Sequence, residues 1–83
     1  MDFLDKVRAV LSKKFPPPDE IELKEDDGVI GVVVSKRFRK METLNRQTMI
    51  RKLLEKGLDP KEQKRILIIV AVTPEEKIGH LSI

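Results

Sequence analysis

Cysteine, tryptophan and tyrosine are absent from these 83 residues, and histidine occurs once. Without cysteine there is no disulfide frame, no thiolate metal site and no cysteine nucleophile. A serine triad would have only His80, three residues from the C-terminus, as its base, and a metal site would rest on Asp and Glu alone. No apolar run approaches the ~18 residues that cross a bilayer. The opening MDFLDKVRAV is amphipathic and carries Asp2 and Asp5 where an export signal has a basic start, so a cytoplasmic location is expected. Enzymatic chemistry is not expected. At 9.6 kDa, with 40% hydrophobic and 37% charged residues, the chain is read as one domain over residues 1–83, with a core of about residues 2–76 and a C-terminal tail of 77–83.

What is abundant is charge, and it is unevenly placed. Residues 1–35 carry a net −3 and residues 66–83 a net −1, whereas residues 36–65 hold 11 Lys and Arg against 4 Asp and Glu, a net +7. The excess positive charge of the chain therefore lies in one segment. Such a segment is where an anionic partner would dock, although Lys and Arg also decorate solvated helix faces.

Six elements follow from pattern. Asp2 caps a first helix whose stripe is Phe3, Leu4, Val7, Val10 and Leu11, with Lys6 and Lys13 on its wet side. Pro16, Pro17 and Pro18 end it and form a stiff connector. Ile21 and Leu23 alternate with Glu20, Glu22 and Lys24 as a strand with one wet face. Asp27-Gly28 tolerates the positive φ of a tight hairpin, so residues 29–35 return antiparallel. Lys36 to Lys40 reads as a basic loop leading to Thr43, the expected cap of a second helix that buries Leu44, Met49, Ile50, Leu53 and Leu54 and ends left-handed at Gly57. Asp59, Pro60 and Glu62 start a short third helix. Residues 66–72 are seven apolar residues, expected as a strand covered on both faces. The third helix, residues 78–83 or a second copy is the expected cover of the far face. Thr73, Pro74, Glu75 and Glu76 cap a last helical turn or tail. A strand, two helices and a strand make a crossover, which is right-handed and sets those strands parallel. The fold class is α+β, order α-β-β-α-α-β, with a three-stranded mixed sheet.

With that order of elements, the stretch Val32-Val33-Val34-Ser35-Lys36-Arg37-Phe38, the downstream Leu44-Asn45-Arg46 followed by Met49-Ile50, and the closing Thr73-Pro74-Glu75-Glu76 resemble the BolA family over nearly the whole chain. The resemblance implies a fold similar to the type II KH domain. It implies two family roles: regulation by binding nucleic acid, and partnership with monothiol glutaredoxins around an iron-sulfur cluster. BolA-like chains carry a His after Leu-Asn-Arg, where Gln47 stands here, and a His at the start of the last strand, where Arg65 stands. Their first hairpin offers a Cys or His, and here it is trimmed to Glu25-Asp26-Asp27-Gly28. Iron in such clusters takes thiolate or imidazole, which a guanidinium cannot replace, so no cofactor is expected and cluster ligation is disfavoured.

Nucleic-acid binding needs only placed cations. Lys36, Arg37, Arg39 and Lys40 run into the start of the second helix beside Arg46, and with Arg65 they form the expected nucleic-acid surface. No G-x-x-G loop is present, and Phe3, Phe15 and Phe38 each have a core contact as their simpler reading, so backbone charge rather than base stacking would carry the affinity. Arg46, in the first turn against the helix dipole, either pairs with an acid such as Glu42 or meets a partner's anion. Glu25, Asp26 and Asp27 read as turn residues rather than a cation site, and Met41 and Met49 as core filler. The expected function is a non-enzymatic regulator or adaptor binding nucleic acid with low specificity. One alternative is a module that docks a glutaredoxin-like protein through Asn45, Arg46, Gln47 and Arg65 without donating a ligand, and another is a structural homodimer joined through the apolar sheet.

Overall fold

The computed structural model describes residues 2–81, with side chains as far as Lys77. Helix α1 (Phe3–Ser12) starts where the Leu4 N–H donates to Asp2 Oδ1 at 2.8 Å, and it buries Val7 and Leu11. Strands β1 (Glu20–Glu25) and β2 (Val29–Val34) form the antiparallel hairpin, turned by Asp27 at φ 57° and Gly28 at φ 137°. Helix α2 (Thr43–Gly57), the short α3 (Pro60–Gln63) and β3 (Ile66–Val72) complete the crossover, and β3 lies parallel to β2. The sheet order is β1-β2-β3.

Register divides the sheet into two faces. Ile21, Val33 and Ala71 are one row, and Leu23, Gly31 and Ile69 the next, both toward the helices. With Val7, Leu11, Phe15, Phe38, Ile50, Leu54 and Leu58 they make the core. Glu22, Val32 and Val70, and Lys24, Ile30 and Ile68, are rows on the opposite face.

Several local expectations are corrected. Glu42, not Thr43, is the N-cap residue of α2, and it makes no side-chain cap bond. Residues 36–40 are not an irregular loop, because Lys36–Phe38 form a 3-10 turn whose Phe38 is fully buried. The final turn is a helix, α4 (Pro74–Leu81), so residues 77–81 continue it rather than forming a tail. It opens with a capping box in which the Thr73 N–H donates to Glu76 Oε1 at 2.8 Å and the Glu76 N–H to Thr73 Oγ1 at 3.1 Å. And β3 is an edge strand that is not covered on both faces: Ile68 and Val70 are 53% and 38% exposed. The third helix does not cover them, since Lys6 of α1 binds Glu62 at 2.6 Å and holds α3 on the helical side. The side chains of residues 78–83, the other intramolecular cover expected, lie outside the described residues.

Gly57 does not end α2 left-handed, since Leu58 is the C-cap at φ −126° and, among the described residues, Gly28 is the one glycine with positive φ. Its role is close approach: a Cβ there would stand 2.5 Å from Val10 Cγ2 and 2.7 Å from Val10 Cγ1. Val10 is β-branched and stiff in its helix, so it yields little. Glycine to alanine near an exposed helix end ordinarily stabilises by up to ~1 kcal/mol. Here Gly57→Ala should destabilise by about 1–2 kcal/mol, as overpacked contacts do. A thermal melt of that variant with an unchanged or raised midpoint would show that α1 and α2 are not in contact there.

Candidate nucleic-acid interface

Ser35 starts the basic segment, and its geometry is set from both sides. Its Oγ accepts from the Arg37 N–H at 3.0 Å and donates to Asp19 Oδ2 at 2.9 Å, tying the 3-10 turn to the chain that enters β1. Phe38 anchors the turn from below, packing on Phe15 with ring centroids 5.2 Å apart. Held at both points, the turn projects Lys36, Arg37 and Arg39 outward, and Lys40 follows at φ 67°. All four are exposed.

The six cations expected to act together separate into three groups. Lys36, Arg37 and Lys40 make no ion pair among the described residues. Arg39 and Arg46 are engaged by α4: Arg39 forks onto Glu75, its Nε donating to Oε1 at 2.9 Å, and Arg46 Nη1 donates to Glu76 Oε1 at 2.6 Å. Arg46 also donates to the carbonyls of Met41 at 3.0 Å and Ala71 at 3.2 Å, and its guanidinium lies 5.8 Å from the Phe38 ring centroid. With its side chain only 12% exposed, it is built into the fold, and the acid that answers the helix dipole is Glu76 rather than Glu42. Arg65 stands apart from both, at the far end of β3, about 20 Å from Arg46 by strand rise. There it binds Glu25 at 2.7 Å and covers the Phe3 ring at 4.0 Å.

Asn45 is exposed and Gln47 half-buried in the first turns of α2, beside Arg46, so Arg65 is likewise remote from that trio. Linear reading also missed two cations. Lys13 and Lys14 follow α1 directly before Phe15, and the Phe15–Phe38 contact brings them to the same end of the molecule as Lys36. Lys13, read as part of the wet side of the first helix, is therefore carried toward that end, whereas Lys6 is held by Glu62. Nothing in the spacing of residues announces this, because the two phenylalanines are 23 positions apart.

At the two positions where the resemblance implies imidazole, Arg65 is committed to Glu25 and Phe3, and Gln47 offers only a weakly donating amide.

The ion pairs carry a pH signature. Hydrogen bonds from Lys6, Arg39 and Arg46 hold the Glu62, Glu75 and Glu76 carboxyls below their ordinary range, with the backbone N–H groups of Asp59 and Thr73 adding to the effect on Glu62 and Glu76. A depressed folded value means stability that is complete above the unfolded value of about 4.3 and is lost as pH falls through the folded values. Lys77, raised first by its bond to Glu20, contributes stability lost only above about pH 10.4. Glu76→Gln should therefore melt below the parent at pH 7, and the gap should close as both are taken to about pH 3. A gap of equal size at both pH values would mean that the charge of Glu76 contributes nothing.

No family model matches the chain, and no curated protein matches it in sequence. Among solved structures it is similar to BolA1 from Arabidopsis thaliana, with 21% identity and a TM-score of 0.71, covering 92% of this chain and 96% of that one. Helix, hairpin, two-helix crossover and parallel third strand thus recur together at a TM-score that leaves the topology in no doubt, and the chain has a BolA-like fold.

Proposed function

We propose that this chain is a non-catalytic regulator or adaptor that binds nucleic acid through its phosphates, using Lys36, Arg37 and Lys40 with Lys13 and Lys14 at one end of the molecule. The observation that carries the reading is the contrast within the basic segment: Arg39 and Arg46 are neutralised by Glu75 and Glu76, while Lys36, Arg37 and Lys40 make no ion pair among the described residues. Cations held on a capped turn over a buried phenylalanine are positioned before a ligand arrives, so little ordering cost attends phosphate contact. Phe15 and Phe38 are buried and unavailable for stacking, which leaves charge as the source of affinity and makes sequence preference weak.

The docking reading has its own support in Leu44, 75% exposed beside Asn45 and Gln47 at the start of α2. A glutaredoxin-like protein seated there would bind through apolar contact and shape, and would not release counterions.

Titration of a fluorescent single-stranded or duplex oligonucleotide at several salt concentrations separates the two. Binding should be weak, on the order of micromolar to a tenth of millimolar at physiological salt, as for contacts that read only the backbone. Replacing Arg37 and Lys40 by Ala should lower the slope of log K against log salt by about one to two units. The control pair, Lys24 and Lys61, lies toward the other end of the sheet and should matter little. Equal losses from both pairs would reduce the interaction to general attraction toward a basic protein, and docking through the start of α2 would become the better account.

A further inference from the structure

The two arginines engaged by α4 are held in different ways. Arg46 has a side chain only 12% exposed and donates to the carbonyls of Met41 and Ala71 as well as to Glu76, so a ligand takes it only by breaking bonds that hold the fold. Arg39 has a single acceptor. Its fork meets Glu75 alone among the described residues, with 50% of its side chain and 59% of the glutamate's open to water. An ion pair as open as this is favoured by no more than about fivefold, so a competing anion at close range displaces one member. Glu75 keeps its place whether or not Arg39 is bound, since α4 is fixed by the two residues that follow. Glu76 is bound to Arg46 and to Thr73 in the capping box, and Lys77 donates to Glu20 at 2.8 Å. Only side chains have to swing for Arg39 to come free.

We propose that Glu75 is a built-in competitor for phosphate: it occupies Arg39 in the free chain and yields it to a nucleic-acid phosphate once the neighbouring cations have bound the same strand. The inference rests on the phosphate reading above and adds to it the group that limits its affinity. Lys36, Arg37 and Lys40 flank Arg39 in the sequence, and the Arg39 N–H donates to the Lys36 carbonyl at 3.1 Å, so the turn that presents those three cations also fixes the root of the fourth. A strand seated on the three brings a further phosphate toward Arg39 with no backbone left to order. The guanidinium fork takes phosphate as it takes carboxylate, two N–H groups to two oxygens, so Arg39 exchanges one acceptor for another of the same geometry. Glu75 is then left beside a bound polyanion, and that repulsion is the second way in which it opposes binding.

Titration of the fluorescent oligonucleotide at several salt concentrations reads this directly. Glu75→Gln should tighten binding about three- to fivefold and steepen the slope of log K against log salt by up to about one unit, because Arg39 then contributes a full contact. Glu42→Gln removes the same charge from an exposed residue that follows Lys40 by two positions and makes no ion pair among the described residues, and it should tighten binding by no more than about twofold. In an Arg39→Ala background the advantage of Glu75→Gln over Glu42→Gln should vanish. In the unaltered chain the Arg39 Nε–H resonance should shift as oligonucleotide is added, while that of Arg46 should stay in place. Equal gains from the two glutamate variants, a gain that persists without Arg39, or an Arg39 resonance that oligonucleotide does not move overturns the proposal and leaves the phosphate site standing. A lack of oligonucleotide binding at about 0.1 mM by both the unaltered chain and Glu75→Gln is a different result, which removes the phosphate site and the competitor with it.

Discussion

Four elements meet at the guanidinium of Arg46. It rises from the first turn of α2, reaches the carbonyl of Met41 after the 3-10 turn and that of Ala71 on β3, forks onto Glu76 of α4, and lies over the ring of Phe38. A planar fork with five donors can hold several acceptors at fixed angles, which an ammonium cannot. The cost of burying that charge is met by a carboxylate and two carbonyls, so the group is satisfied where it sits. Glu76 in turn is tied to Thr73 through the capping box, so the helix start that closes the chain and the helix start that carries Arg46 fix each other.

That arrangement decides which cations remain for other work. Once Glu76 is taken by Arg46, Glu75 falls one residue away, where Arg39 reaches it. The acids of α4 thus draw two arginines out of the basic segment and leave Lys36, Arg37 and Lys40 on the outer side of the turn. A net charge of +7 over residues 36–65 overstates the charge available to a ligand, because part of it answers acids from other segments. The fold distributes the charge; composition only bounds it.

What was legible in the residues was what acts over a few positions. Asp2, Asp59 with Pro60 and Glu62, Thr73 with Glu76, and Asp27-Gly28 each place cap or turn chemistry within three residues of the backbone group it serves, and each performs that task in the folded chain. The parallel setting of β2 and β3 followed from the crossover rule. What was not legible acts across the chain: Arg39 and Glu75 are 36 residues apart, Arg46 and Glu76 are 30, and no spacing rule pairs them. Gly57 misled because a helix-ending glycine and a glycine beneath a crossing helix leave the same mark in sequence. The apolar run of β3 misled for a related reason, since seven aliphatic residues describe a strand wanting cover on both faces and say nothing of whether its own chain provides it.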